Sequence, residues 1–185
     1  MRRFMSLLVL AATASCASSG SSPGSGIATP SERIVAMDNQ AVYRTTVQPN
    51  AKVLIPVAPS RAFEAVRAVY EELGVPTGTY DPATGRVGNT SFWKTRKLGN
   101  ESLSTYLNCG ESFSGSIADT YRIYISLISA VRPDGTGASE LETAFSAQAQ
   151  NMDGAASDKV ACGTTGRLEE RIRKSVLLKA GATPQ

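Results

Sequence analysis

The chain has 185 residues, of which 42% are hydrophobic and 19% are charged, and it contains no histidine. This composition predicts one globular domain that can bury its own core. The missing histidine excludes Ser-His and Cys-His catalysis and nearly all catalytic zinc sites. When Arg2 and Arg3 are left out, the chain has 17 basic and 16 acidic residues. The net charge therefore gives no reason to expect a nucleic-acid partner.

The start of the chain has the layout of a secretory signal at residues 1–15. Two arginines precede an apolar stretch at residues 4–12, and small residues lead to Cys16. Small residues followed directly by Cys resemble a bacterial lipobox, in which Cys16 carries a lipid and becomes the first residue of the mature protein. Thr13 stands where that pattern usually has Leu. The alternative is an ordinary signal peptide that is cleaved nearby and releases an unanchored protein.

Residues 16–31 are rich in Ser, Gly and Pro, which is typical of a flexible tether with nothing to bury. Such a tether would hold a folded domain clear of the membrane to which the lipid attaches it. We therefore predict that the tether leads to a single domain at residues 32–181. A frayed C-terminus is predicted at residues 182–185.

Several stretches in the first half of the chain predict β-strands. Two short apolar runs within residues 32–47 predict a hairpin or two short strands, and residues 52–57 predict a strand rich in β-branched residues. Asp, Pro and Gly within residues 80–87 predict the turn of a hairpin, whose second strand continues to Trp93. The basic residues that follow either face an anionic partner or form a solvated strand end: Lys94, Arg96 and Lys97.

The stretch between these strands predicts an amphipathic helix. Within residues 61–73 the apolar residues recur at three- and four-residue steps, and charged residues lie on the opposite side. The helix begins with Pro59 in its first turn or with Ser60 as its N-cap. It ends at Gly74, which is typical of the position just past a helix.

The second half of the chain predicts a hairpin and a last helix. Residues 121–131 and 138–149 both alternate between apolar and polar residues around a Pro- and Gly-containing turn. Residues 165–180 predict a helix with Thr165 as N-cap, and a shorter helix is predicted at residues 100–107 with Asn100 as its cap. Together these elements predict an α+β fold, an antiparallel β-sheet with two main α-helices packed on one face.

Cys109 and Cys162 remain as a pair once Cys16 is assigned to the lipid. An even pair of cysteines in an exported chain predicts a disulfide. A bond that closes a loop of roughly 50 residues would stabilise the fold by about 4 kcal/mol through the entropy of the unfolded chain. We expect it to join the end of the short helix to the start of the last helix. The alternative, a reactive thiol, lacks a CxxC motif or a histidine that would lower the thiol pKa.

No group of residues in the chain predicts a catalytic centre. The paired carboxylates either point apart on helices or share a solvated strand face: Glu71 and Glu72, Glu169 and Glu170, Glu140 and Glu142. We therefore expect no catalytic residues, no metal ligands and no cofactor. A hydrolase that uses carboxylates alone is the least favoured alternative.

The stretch from Ile55 to Val87 combines a strand, a helix started by Pro, Gly followed by a hydrophobic residue, and a turn with Asp81 and Gly85. This run is similar to the domains of the C-subunit lipoprotein of the bacterial outer-membrane β-barrel assembly machinery, whose lipobox and tether also match. The resemblance implies a lipid-anchored protein of the outer membrane that faces the periplasm. The start of the helix also resembles, more weakly, Bet v 1/START-like helix-grip domains, which implies a sheet and helix that enclose a lipid or aromatic ligand.

These observations favour two functional hypotheses. The first is a non-enzymatic cell-envelope lipoprotein that acts as an interaction or scaffolding module for envelope proteins. The second is a helix-grip carrier of a small apolar or lipid ligand. A cavity lined by Phe63, Tyr70 and Phe145 would favour the carrier, whereas a filled core with an exposed apolar patch would favour the scaffold. Trp93 completes the candidate ligand or partner surface.

Overall fold

The structure, a computed structural model, describes residues 31–37, 41–47, 51–152 and 159–182. Its strands are β1 (Ser31–Met37), β2 (Ala41–Val47), β3 (Ala51–Ile55), β4 (Thr79–Asp81), β5 (Arg86–Thr95), β6 (Lys97–Leu98), β7 (Glu101–Ser102), β8 (Leu107–Asn108), β9 (Glu111–Ser112), β10 (Gly115–Ser116), β11 (Arg122–Pro133), β12 (Ser139–Gln150) and β13 (Lys159–Thr164). Its helices are α1 (Pro59–Glu72), α2 (Leu103–Tyr106), α3 (Ile117–Thr120) and α4 (Arg167–Lys179). Cys16, the predicted signal peptide, nearly all of the tether and the last three residues lie outside the described residues.

The main sheet is antiparallel and has the strand order β4-β5-β11-β12-β13-β8, with β3 also pairing with β12. Strands β11 and β12 pair along their whole lengths, from Arg122 opposite Gln150 to Pro133 opposite Ser139. The long hairpin predicted from the alternating pattern is therefore confirmed, and so is the α+β class. The two apolar runs within residues 32–47 form β1 and β2, which pair antiparallel.

Alternation along β11 gives the sheet two different faces. The inner face carries the buried residues Ile123, Ile125, Leu127, Ser129 and Val131. The outer face carries the partly exposed residues Arg122, Tyr124 and Ser126. Because antiparallel partners opposite each other point to the same side, each residue of β5, β12 and β13 can be assigned to a face from its partner.

Helix α1 lies against the inner face. Its buried residues follow the predicted apolar stripe: Ala62, Phe63, Ala65, Val66, Val69 and Tyr70. Pro59 stands in the first turn, where its missing N–H costs nothing and its fixed φ suits the helix. Ala58 is the N-cap residue, so the alternative start with Ser60 as the cap is wrong.

The C-terminus of α1 forms a Schellman motif. The Gly74 N–H donates to the Glu71 carbonyl at 3.0 Å, and the Val75 N–H donates to the Tyr70 carbonyl at 2.9 Å. Gly74 has φ +67°, a conformation that glycine adopts without a steric penalty. The ammonium group of Lys94 approaches this helix end, where a positive charge is favourable to the helix dipole.

The last helix, α4, begins two residues later than predicted. Gly166, with φ +79°, stands at the N-cap position, so the assignment of Thr165 as N-cap is wrong. Thr165 instead ties α4 to the segment around α2, because its hydroxyl donates to the Thr105 carbonyl at 2.8 Å and its N–H to the Tyr106 carbonyl at 2.9 Å. Helix α4 lies beside α1 and buries its apolar stripe in the same core: Leu168, Ile172, Val176 and Leu177.

The prediction of a helix at residues 100–107 is wrong. That stretch contains β7, the four-residue helix α2 and β8, and Ser102 rather than Asn100 stands before the helix. Leu107, which continues the predicted helical stripe, pairs instead with Thr164 of β13. Backbone pairing with a strand distant in sequence therefore outweighs the local apolar spacing.

Candidate functional site

A disulfide joins Cys109 to Cys162, with the two Cα atoms 4.2 Å apart. Cys162 lies in β13, and Cys109 directly follows β8, the strand that pairs with β13. The predicted disulfide is thus confirmed, but its predicted position between two helix ends is wrong. It instead links neighbouring antiparallel strands that lie 53 residues apart in sequence.

Tyr70 is the centre of a buried hydrogen-bond chain. Its hydroxyl lies 2.7 Å from the Ser129 hydroxyl, which lies 2.9 Å from the Thr143 hydroxyl. The three residues belong to α1, β11 and β12, so the chain joins the helix to the inner face of the sheet. Burial raises the pKa of Tyr70, and the phenol remains neutral at physiological pH. Tyr70 is 3% exposed and is a core residue, not part of an accessible surface.

Replacing Tyr70 with Phe is expected to lower the free energy of unfolding by about 1 kcal/mol, the usual net value of a buried hydrogen bond. The loss stays modest because Ser129 keeps Thr143 as a partner. Urea unfolding would measure it. Tyr80→Phe is the matched control, since the Tyr80 hydroxyl donates to Glu64 at the exposed surface. Equal losses for the two variants would contradict the structural role of the buried chain.

Phe63 lines a cavity of about 350 Å³ at the N-terminal end of α1. The cavity lies between this helix end, the β4–β5 turn and the end of β11, and it also contacts Pro82 and Pro133. Tyr70 and Phe145 do not line it. Phe145 stands opposite Leu127 on the inner face and packs, partly buried, against the core. The three aromatic residues proposed to line one cavity therefore have separate environments.

Trp93 projects from the outer face of the sheet, where its side chain is 55% exposed. The guanidinium carbon of Arg122 lies 4.9 Å from the centre of a Trp93 ring. Trp93 stands opposite Tyr124, and the ammonium group of Lys159 lies 4.1 Å from the Tyr124 ring centre. Two cations thus each cover an aromatic ring on neighbouring strands.

A groove of about 470 Å³ lies beside these rings, open on the outer face. Tyr124 and Lys159 line it together with residues that have hydroxyl or amide side chains: Thr90, Ser91, Ser126, Ser146 and Gln148. Sequence reasoning singled out Trp93 but missed the others. The signal that could have found Tyr124 was the alternation within residues 121–131, which places it on the face opposite the core. The strand β13 was not predicted, so nothing pointed to Lys159.

The basic half of α4 is partly neutralised by its own carboxylate. Arg173 donates two hydrogen bonds to Glu170, at 2.7 and 2.8 Å, and Lys174 lies 3.3 Å from the same group. The hydrogen bonds from Arg173 are the main reason that the pKa of Glu170 falls to about 2. Arg171 donates to the Tyr106 hydroxyl. This face is thus an internally paired, largely solvated helix surface.

Within the described residues, no cluster of His, Cys, Asp and Glu side chains could hold a metal ion. No helix there is both long enough and apolar enough to cross a membrane. The paired carboxylates considered as acid–base groups have structural partners, for example Glu71 with Arg67 and Glu142 with Arg132. Comparisons with protein-family models, curated proteins and solved structures gave no match.

Proposed function

We propose that this protein is an exported, lipid-anchored and non-enzymatic interaction module of the bacterial cell envelope. The Cys109–Cys162 disulfide is the observation that carries the proposal. Such bonds persist in oxidising compartments, whereas cytosolic thiols are kept reduced. The basic and apolar layout of residues 1–15 supplies a matching export signal.

The anchor is assigned to Cys16 because small residues lead directly to it and a Ser- and Gly-rich tether follows. Growth of an expressing bacterium with an alkyne-tagged palmitate should label the wild-type protein and place it in the membrane fraction. The Cys16→Ala variant should lose the label. Ser22→Ala, a change within the same tether, should keep it and serves as the control. Labelling of Cys16→Ala at the wild-type level would remove the anchor from the proposal.

Two further observations favour an interaction module over an enzyme. The inner face is filled by a continuous apolar core, while the outer face exposes Trp93 and an open groove. The similarity of the stretch from Ile55 to Val87 to the barrel-assembly lipoprotein domains implies an outer-membrane location facing the periplasm and envelope proteins as partners.

A carrier of a small apolar ligand is the second candidate. The cavity beside Phe63 favours it, because its volume of about 350 Å³ lies within the usual range of roughly 300–1,000 Å³ for ligand sites. Phe63 is held beside the Tyr80 ring, with 5.3 Å between the ring centres. An apolar molecule that copurifies with the protein and contacts Phe63 would favour the carrier over the scaffold.

A further inference from the structure

The outer-face groove brings together three kinds of side chain in one place. Tyr124 and Lys159 supply an aromatic ring and a positive charge to its lining, and Trp93 and Arg122 form a second such pair beside it, with Trp93 opposite Tyr124. Neutral hydrogen-bonding groups line the groove floor and wall: Thr90, Ser91, Ser126, Ser146 and Gln148. Four strands of the antiparallel sheet supply these residues, so their spacing is held by the strand ladders rather than by loops.

Trp93 offers exposed ring surface for stacking. Trp93 is about half exposed, and Arg122 lies over one of its rings. Tyr124 stands between Trp93 on one side and Gln148 on the other, and Ala161 stands opposite Gln148. Two aromatic side chains therefore stand next to each other on the outer face, and the apolar C–H face of a sugar ring is complementary to aromatic surface.

The described strand segments that form the groove carry positive charge only. The strand segments that form it contain no Asp or Glu: residues 89–95, 122–128, 144–150 and 159–164. The cations Arg122 and Lys159 are consequently held by aromatic faces instead of carboxylates. The Arg122 Nε is buried and has no hydrogen-bond partner among the described residues. A ligand with a carboxylate would neutralise these charges.

The neutral residues determine which anionic ligand fits. Hydroxyl and amide side chains both donate and accept hydrogen bonds, as sugar hydroxyl groups do. A nucleic acid would fit less well, because its affinity comes from many Lys and Arg contacts to phosphates. Within the described strand segments that form the groove, residues 89–95, 122–128, 144–150 and 159–164, the outer face carries two cations, Arg122 and Lys159. The groove therefore matches a hydroxyl-rich ligand of low charge density.

We propose that the outer-face groove and the adjacent Trp93–Arg122 pair together bind an acidic oligosaccharide, whose sugar rings stack on Trp93 and Tyr124 and whose carboxylates meet Arg122 and Lys159. This site extends the proposed function, because it names a ligand that an anchored envelope module would hold. It does not depend on the anchor, since every residue involved belongs to the folded domain.

Binding can be followed directly because Trp93 is the single tryptophan of the chain. The full chain, produced in an exporting bacterial host, would be titrated with a hexagalacturonate, a hyaluronan hexasaccharide and a muramic-acid-containing glycan tetrasaccharide. We expect at least one acidic glycan to change the Trp93 fluorescence saturably and to bind less tightly as salt is raised. Neutral cellohexaose should bind at least about tenfold more weakly, since it has no carboxylate for the two cations.

Variants locate the binding. Trp93→Ala should weaken binding, measured by calorimetry, by about tenfold or more through the lost stacking surface. The exposed Phe113 lies at the tip of the β9–β10 hairpin, and Phe113→Ala should bind like wild type. Lys159→Gln should weaken binding by about three- to tenfold and reduce its salt dependence. Lys97→Gln, which removes an exposed lysine from β6, is the matched control.

Three results would overturn the assignment. If none of the acidic glycans binds, the proposed oligosaccharide site is wrong. Equal affinity for cellohexaose would remove the role of Arg122 and Lys159, and tighter binding of a single-stranded decauridylate would assign the groove to nucleic acid instead. None of these results bears on palmitate labelling at Cys16, so failure of the groove and failure of the anchor can be told apart.

Discussion

Replacement of both Cys109 and Cys162 with Ala is expected to lower the free energy of unfolding by about 4 kcal/mol. The bond closes a loop whose ends are 53 residues apart, and the unfolded chain gains the entropy of that loop when the bond is absent. A loss of this size is a large part of the roughly 5–15 kcal/mol that stabilises a typical domain. Urea unfolding of the wild type and the double variant would measure the difference.

Reduced wild-type protein is the control for this experiment. It keeps both cysteine side chains and lacks the covalent bond, so it separates the effect of the bond from the effect of lost packing around Cys109, which is 2% exposed. We expect reduction alone to account for most of the loss. Equal unfolding midpoints in oxidised and reduced protein would contradict a stabilising role of the disulfide.

Replacement of Gly88 with Ala is expected to lower the free energy of unfolding by about 3 kcal/mol or more, through steric overlap and backbone strain. Strands β5 and β11 approach so closely here that a Cβ atom on Gly88 would lie 2.2 Å from the Leu127 carbonyl oxygen. The residue also has φ +141°. It adjoins the irregularity in the β5–β11 ladder, where the register shifts between Ile125 and Leu127.

Gly135→Ala is the matched control for Gly88→Ala. Gly135 also has a positive φ, +88°, but a Cβ atom there would meet no heavy atom within 4 Å. Its substitution should therefore cost only the backbone strain, about 1 kcal/mol. The difference between the two variants in urea unfolding isolates the close approach of the strands. Equal losses would show that the approach of β5 to β11 does not limit the side chain at this position.

The register of β5 against β11 also matters for the outer-face groove. It places Trp93 opposite Tyr124 and Arg122 opposite Thr95, so that the guanidinium group reaches Trp93 along a diagonal of the sheet. A shift by one residue would move Trp93 to the inner face and Lys94 to the outer face. The pairing of β5 with β11, which requires the close approach at Gly88, therefore also positions the groove residues.

Local patterns in the sequence were sufficient for the elements whose interactions lie close in the chain. The alternation within residues 121–131 and 138–149, around one turn, specifies the β11–β12 hairpin because the pairing partners are adjacent segments. The apolar spacing of α1 and the ability of Gly74 to adopt a positive φ likewise specify where that helix runs and ends. The sequence also predicted the disulfide between Cys109 and Cys162, because these two cysteines remain once Cys16 is assigned to the lipid.

Only the tertiary structure decided which distant segments meet. Leu107 has the spacing of a helix residue, yet it lies in a strand because Thr164, far along the chain, offers backbone hydrogen bonds. Because β8 pairs with β13, the disulfide links these neighbouring strands and not the two helix ends predicted from the sequence. Lys159 reaches Tyr124 because β13 joins the sheet beside β12. The periodicity of apolar residues predicts which face of a helix or strand is buried. It does not predict which other element packs on that face or which strand pairs with it.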